Sequence, residues 1–144
     1  MIEQDTVKLL RECDAGVKMG ITSLEDMMKY VKSEKLKGII SDNKSKHDII
    51  EKDIREHLDR CGDDGKEPNP MAKGMSWLKT NVKLGVENSD RTVADLVTDG
   101  CNMGVKSLYR YLNEYKAADE NTKDITKHLI NLEEELIKEM TAFL

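Results

Sequence analysis

The chain has 144 residues, of which 35% are charged, 38% are hydrophobic and 4% are aromatic. This length suits a single domain over residues 1–144, and the excess of helix formers over strand formers predicts an all-α fold. The net charge of −5 argues against a dedicated nucleic-acid binder. No apolar run reaches the length of a membrane span and the N-terminus does not resemble a signal peptide, so we expect a cytoplasmic protein.

The first predicted helix covers residues 6–33, with Asp5 or Thr6 as its N-cap. Its apolar positions alternate by three and four residues without a break, which is typical of a long helix packed nearly parallel to its neighbours. This seam consists of Leu10, Cys13, Val17, Gly20, Leu24, Met27 and Val31.

A tight turn leads to the second predicted helix, residues 35–60, for which Ser33 is a candidate N-cap. Its seam is more polar than that of the first helix, because Asn43 and His47 interrupt the apolar residues. The seam consists of Leu36, Ile40, Asn43, His47, Ile50, Ile54 and then His57 or Leu58.

Residues 61–90 form a long connection that begins with turn residues and both prolines of the chain. Within it, residues 71–84 predict a short amphipathic helix whose charges are all basic. We expect this helix to pack over the bundle, and a surface for a protein partner or a second copy is the alternative. Its apolar stripe consists of Met71, Met75, Leu78 and Val82, with Trp77 beside it.

Two further helices are predicted in residues 91–144, separated by the polar stretch 117–122. Ser89, Asp90 or Thr92 is the candidate N-cap of the third helix. The fourth helix directs its aliphatic residues inward and its three consecutive glutamates, residues 133–135, mostly outward. The sequence therefore predicts two helical hairpins, residues 6–60 and 91–144, joined by a crossover over residues 61–90.

A nine-residue stretch of the first helix, GVKMGITSL, recurs 84 positions later in the third helix as GCNMGVKSL. The match indicates a duplicated hairpin and aligns Gly16 with Gly100 and Gly20 with Gly104. A glycine inside a helix costs about 1 kcal/mol relative to alanine. We expect the glycines to offset this cost by letting helices pack closely in the centre of the bundle, and a void that admits a ligand is the alternative.

Two hairpins, a long crossover and the phrases MGVKSL and GMSWLK together resemble the ferritin-like superfamily, in particular small uncharacterised bundle proteins of anaerobic bacteria. The resemblance implies a four-helix bundle whose second connection runs the height of the bundle. Di-iron members carry Glu-x-x-His on two helices, but Lys44, Ile54 and Ile125 stand three residues before the histidines of this chain. The resemblance therefore implies a fold and transfers no catalytic or ligand residue.

A non-standard metal site is the remaining chemical candidate. In an antiparallel first hairpin, Cys13 is expected near His57 and Cys61, and thiolates and imidazoles are ligands for iron or zinc. His47, with Glu51 one turn further on, forms a second polar group. Core cysteines and a core or capping histidine are the simpler interpretation of both groups, and the lack of a Cys-x-x-Cys spacing indicates reduced thiols.

No glycine-rich phosphate loop, GxSxG motif or HExxH motif is present in the sequence. We therefore expect a non-catalytic helical bundle without a cofactor, which acts through a protein partner or as a homo-oligomer, without nucleic acid and without a membrane span. The alternative is a metal-binding or redox bundle that uses a transition metal such as iron or zinc.

Overall fold

The computed structural model describes residues 3–68 and 89–144. The predicted amphipathic stripe of Met71, Met75, Leu78 and Val82, with Trp77, lies outside these residues. The described parts form four long helices and contain no strand, which confirms the all-α prediction. The helices are α1 (Gln4–Met28), α2 (Glu34–Arg60), α3 (Ser89–Glu114) and α4 (Glu120–Met140), followed by a 3-10 turn at Thr141–Phe143.

The helix boundaries agree with the sequence except at the end of α1, which ends at Met28 and not at residue 33. Ser33 caps α2 as expected, because its Oγ accepts a hydrogen bond from the Leu36 N–H at 3.2 Å. Asp119 caps α4 in the same way, through the Thr122 N–H at 2.8 Å. Each second helix of a hairpin thus begins at a side-chain cap.

Residues predicted to cap α1 and α3 bind the turn of the opposite hairpin instead. The Asp90 carboxylate accepts hydrogen bonds from the backbone N–H of Lys32 at 2.7 Å and of Ser33 at 3.1 Å. At the other end of the bundle, Thr6 Oγ1 accepts from the Asp119 N–H at 2.8 Å. The start of each hairpin therefore fixes the turn of the other.

The core has two apolar clusters, one at each end of the bundle, and each cluster draws residues from all four helices. We call them the upper and lower clusters. The upper cluster consists of Leu24, Met27, Val31, Leu36, Ile40, Val93, Ala94, Leu96, Val97, Cys101, Leu136 and Met140. The lower cluster consists of Leu9, Leu10, Cys13, Val17, Ile50, Ile54, Leu58, Leu108, Ala118, Ile125, Leu129, Ile130 and Leu132.

The direction of each helix follows from which of its ends lies in which cluster. The upper cluster contains the end of α1 and α4 and the start of α2 and α3, and the lower cluster contains the opposite ends. α1 packs mainly against α2, and α3 against α4, while α2 also contacts α4 and α1 contacts α3 and α4. α2 and α3 are therefore parallel, so the chain leaves α2 at the lower end and enters α3 at the upper end.

Candidate functional site

Three polar side chains lie between the upper and lower clusters. Asn43 and His47 of α2 are each 2% exposed, and Glu133 of α4 is 9% exposed. Two glycines, Gly20 of α1 and Gly104 of α3, face this layer. We call these five residues the polar waist. Buried polar groups carry a desolvation cost, so the polar waist is where this fold departs from a purely apolar core.

In the first hairpin, the polar waist sets His47 against Gly20. The His47 Nδ1–H donates to the Asn43 carbonyl oxygen at 3.0 Å, which leaves Nε2 as the unprotonated nitrogen of the neutral ring. Burial lowers the pKa of His47, so the ring is neutral at pH 7. A Cβ on Gly20 would lie 3.1 Å from the ring Cδ2 and 3.2 Å from Nε2. The missing side chain therefore gives the imidazole its place against α1.

In the second hairpin, the polar waist sets Glu133 against Gly104. A Cβ on Gly104 would lie 2.9 Å from Glu133 Cδ and would collide with Oε2. Burial raises the pKa of Glu133 to about 8, which keeps most of the carboxyl protonated at neutral pH. Oε2 has no hydrogen-bond partner among the described residues. Glycine at position 104 therefore leaves the space that the Glu133 carboxyl occupies.

The structure changes the interpretation of the repeated glycines. Gly20 and Gly104 each receive a polar side chain from their own hairpin, and neither meets the other hairpin's glycine. An added Cβ at Gly16 or Gly100 has open space, with no atom beyond its own helix and chain neighbours within 4 Å in residues 3–68 and 89–144. The space left by Gly20 and Gly104 is filled by side chains of the facing helices, and close helix packing at the four glycines stays a prediction.

We expected Glu133 to face outward with its neighbouring glutamates, but it is buried. The spacing of the buried residues along α4 indicates this position. Position 133 lies four residues after Leu129 and three before Leu136, which are both buried. That spacing places Glu133 on the inward seam, whereas Glu134 and Glu135 lie on the exposed face. Because residues 133–135 are all glutamate, we expected the whole run to face outward, although the helical period places Glu133 in the core.

A second buried carboxylate, Asp14 of α1, was not anticipated and is fully buried. Its Oδ2 accepts hydrogen bonds from Lys18 Nζ at 3.0 Å and from the backbone N–H of Lys66 at 2.9 Å, and Arg55 Nη2 lies 3.7 Å from Oδ1. Gly65 lies directly over the carboxylate with φ of 87°, and an added Cβ would lie 3.2 Å from Asp14 Cγ. Asp14 thus binds the segment that follows α2.

This segment, residues 63–67, is called the strap. It runs along α1 and is held by ion pairs as well as by Asp14. Asp63 lies 2.9 Å from Arg11, Lys66 pairs with Glu12, and Glu67 lies 3.2 Å from Lys18. Successive strap residues pair with successively later residues of α1. Since α1 runs from the lower to the upper end of the bundle, the chain after α2 turns back toward the upper end.

The first candidate metal group is engaged in ordinary hydrogen bonds. Thr126 donates its hydroxyl to the Thr122 carbonyl, so the Cys13 thiol donates to Thr126 Oγ1, 3.2 Å away. Burial raises the pKa of Cys13 to about 12, which keeps it a thiol. His57 donates from Nδ1 to the Asp53 carbonyl at 2.8 Å, and Cys61 forms the C-cap of α2.

In the second candidate group, His47 is buried and Glu51 is only partly buried. The His47 ring faces Gly20 in the polar waist, while Glu51 is half-buried one turn further along α2. Among the residues that the structure describes, no three His, Cys, Asp or Glu side chains are grouped to hold a metal ion. None of the helices in the described ranges is long and apolar enough to span a membrane.

Comparisons with protein-family models, with curated proteins and with solved structures found no match for this chain.

Proposed function

We propose that this chain is a cytoplasmic, ferritin-like four-helix bundle that acts without catalysis, through self-association. The parallel arrangement of α2 and α3 supports the ferritin-like topology, because such a pair needs a connection that crosses the bundle from end to end. The three free cysteines support a reducing compartment.

Equivalent contacts in the two halves support the duplicated hairpin. Thr6 and Asp90, which are 84 positions apart, each accept from the backbone N–H of the residue that caps the second helix of the opposite hairpin. Gly20 and Gly104 are also 84 positions apart, and the side chains that they accommodate, at positions 47 and 133, are 86 apart. A shared ancestor with a polar side chain set against a glycine explains both pairs.

The observation that carries the functional proposal is a set of large apolar side chains on otherwise polar outer faces. Ile49 of α2 is 67% exposed and Met103 of α3 is 65% exposed, with Tyr109 and Leu144 about half exposed. A second copy of the chain is the partner that we propose, since a two-fold contact places each side chain in the interface twice. Four such residues offer little exposed apolar area, so we expect a weak, concentration-dependent dimer.

Sedimentation velocity over a wide range of protein concentration tests this proposal. We expect the mass to rise with concentration, and Ile49→Lys or Met103→Lys to shift the chain toward the monomer. Ser41→Lys and Asn102→Lys are matched controls, because they add the same charge at exposed polar positions of the same helices. A wild-type chain that stays monomeric throughout would refute self-association.

The alternative function is metal binding or redox chemistry by a transition metal such as iron or zinc, at Cys13, His57 and Cys61 or at His47 and Glu51. Metal analysis of tag-free protein, expressed with added iron, zinc or manganese, separates the two proposals. A stoichiometric metal that is lost in His47→Ala or His57→Ala would establish the alternative. Metal-free protein whose melting temperature does not respond to added metal would eliminate it.

A further inference from the structure

Glu133 has the geometry of a side chain that can leave its site without breaking a hydrogen bond at Oε2. That oxygen has no hydrogen-bond partner in the described parts of the chain, and the carboxyl is held in place by the shape of the space at Gly104. Gly104 is itself only half-buried, and Gly100, one turn earlier on α3, is exposed, with no described residue within 4 Å of an added Cβ apart from its own helix and chain neighbours. The side of α3 that covers the carboxyl is therefore thin and adjoins water.

We propose that Glu133 is a proton-controlled switch at the contact between α3 and α4. As a neutral acid the side chain fills the space at Gly104 and closes this contact. When the proton leaves to solvent, the carboxylate moves out past Gly104 into water, and the middle of the contact opens while the two ends of the bundle stay folded.

In the part of the chain that the structure describes, the groups around Glu133 leave its charge uncompensated. On α3 the neighbouring titratable group is Cys101, and burial together with Glu133 raises the pKa of that thiol, so it is neutral. On α2, Asn43 is uncharged and donates to the Leu132 carbonyl at 3.2 Å. Lys46 of α2 lies 3.6 Å from Glu135, on the exposed face of α4.

On the remaining side, α1 meets α4 through Cys13, whose thiol is protonated and bonded to Thr126. His47 of α2 is neutral and faces α1. Burial is the sole cause of the raised pKa of Glu133, which lies at about 8 in place of 4.5. Within residues 3–68 and 89–144, no cation contributes to the pKa of Glu133 or retains the ionised side chain in the polar waist.

The sign of the effect follows from these two values. Above pH 4.5 an exposed Glu133 prefers to be ionised, whereas the buried acid keeps its proton until about pH 8. The equilibrium between the open and closed contact should therefore shift toward the open form by about tenfold per pH unit between pH 4.5 and about pH 8, and it should level off at higher pH. Acid closes the contact and base opens it.

Thiol alkylation measures this opening, because Cys101 lies beside Glu133 and is 8% exposed, while Cys13 is fully buried in the lower cluster. In a Cys61→Ser chain under native conditions at pH 8, we expect Cys101 to be alkylated at least about tenfold faster than Cys13, because local opening exposes only the first. Mass spectrometry of the two peptides gives both rates from one sample. Equal rates would show that Cys101 is exposed only by global unfolding and would overturn the proposal.

Glu133→Gln keeps the size of the side chain and removes the ionisable proton. We expect it to slow alkylation of Cys101 at pH 8 by at least about tenfold, since the amide fills the same space at every pH. Glu134→Gln removes the same charge from the exposed face of α4 and should leave the rate unchanged. A Cys101 rate that Glu133→Gln does not slow would also overturn the proposal, and if that variant fails to fold, the Cys101 and Cys13 rates of the Cys61→Ser chain decide alone.

Discussion

Gly100 and Gly104 lie one turn apart on α3, yet an added methyl group would meet very different surroundings. At Gly100 there is open space within the described chain, and at Gly104 there is the Glu133 carboxyl. Alanine is the better helix former at both positions, by about 1 kcal/mol. Both glycines belong to the repeated sequence, but only Gly104 faces a side chain of another helix in the described part of the chain.

We predict that Gly100→Ala raises the free energy of unfolding by about 0.5–1 kcal/mol, because it gains helix propensity at no steric cost. Gly104→Ala should raise it less, because the new Cβ displaces Glu133 from its buried position. Urea denaturation at pH 6 measures both changes. In a Glu133→Ala background, Gly104→Ala should gain as much as Gly100→Ala, and an effect of Gly104→Ala that is the same in both backgrounds would show that Glu133 has no part in it.

The buried polar side chains of the bundle were predictable to different degrees. Asn43 and His47 fall on the seam of α2 by spacing, and both are buried. Glu133 and Asp14 also occupy inward positions, but an acidic residue on a charged helix is ordinarily exposed. Their burial depends on Gly104 and Gly65 of distant segments, and no local pattern links those glycines to the carboxylates.

At the scale of elements, the end of α1 could not be predicted from the local sequence. The apolar seam of α1 continues to Val31, and this pattern predicted a helix up to residue 33. The helix ends at Met28, and Asp90 accepts hydrogen bonds from the backbone of Lys32 and Ser33. A contact with the start of α3 thus fixes the turn, and sequence spacing within the first hairpin carries no information about it.

The attachment of the strap to α1 can be tested by changing Asp14. Asp14→Asn removes the negative charge that the Lys66 N–H, Lys18 and Arg55 surround, so we expect the strap to detach from α1 more often. Stability should fall by about 1–3 kcal/mol, the range for a buried hydrogen-bonded charge that loses its partner. Limited trypsin digestion should show faster cleavage after Lys66, with the products identified by mass spectrometry.

Asp48→Asn is the matched control for the strap, because it makes the same chemical change in an exposed carboxylate that pairs with Lys44 on α2. Exposed ion pairs contribute little, so cleavage after Lys66 and stability should stay close to wild type. Equal protection of Lys66 in wild type and Asp14→Asn would show that the surface ion pairs hold the strap without the buried carboxylate.

At the scale of the whole molecule, neither hairpin has a core of its own. The upper and lower clusters each contain side chains from α1, α2, α3 and α4. A separated hairpin would expose the apolar face that the other hairpin covers, which removes most of the driving force for folding. The turns would also lose support, because Asp90 and Thr6 each bind the turn of the opposite hairpin.

We therefore predict that fragments 1–68 and 89–144, prepared separately at low concentration, melt well below the intact chain. An equimolar mixture should regain helicity, since the two clusters reassemble when all four helices are present. Circular dichroism of each fragment and of the mixture measures this. A Leu129→Ala change in the second fragment, which removes a buried side chain of the lower cluster, should weaken reassembly more than His128→Ala at the exposed neighbouring position.

Fragment concentration separates two ways in which the first hairpin can gain structure. If the bundle is a duplicated hairpin, two copies of fragment 1–68 present similar inward faces to each other, and helicity should rise with concentration. The second fragment should still displace that pairing, because the inward side chains of the two unlike hairpins are the ones that fill both clusters. Concentration-independent melting of fragment 1–68 at the temperature of the intact chain would mean that one hairpin folds alone, and the shared clusters would then not be what holds the molecule together.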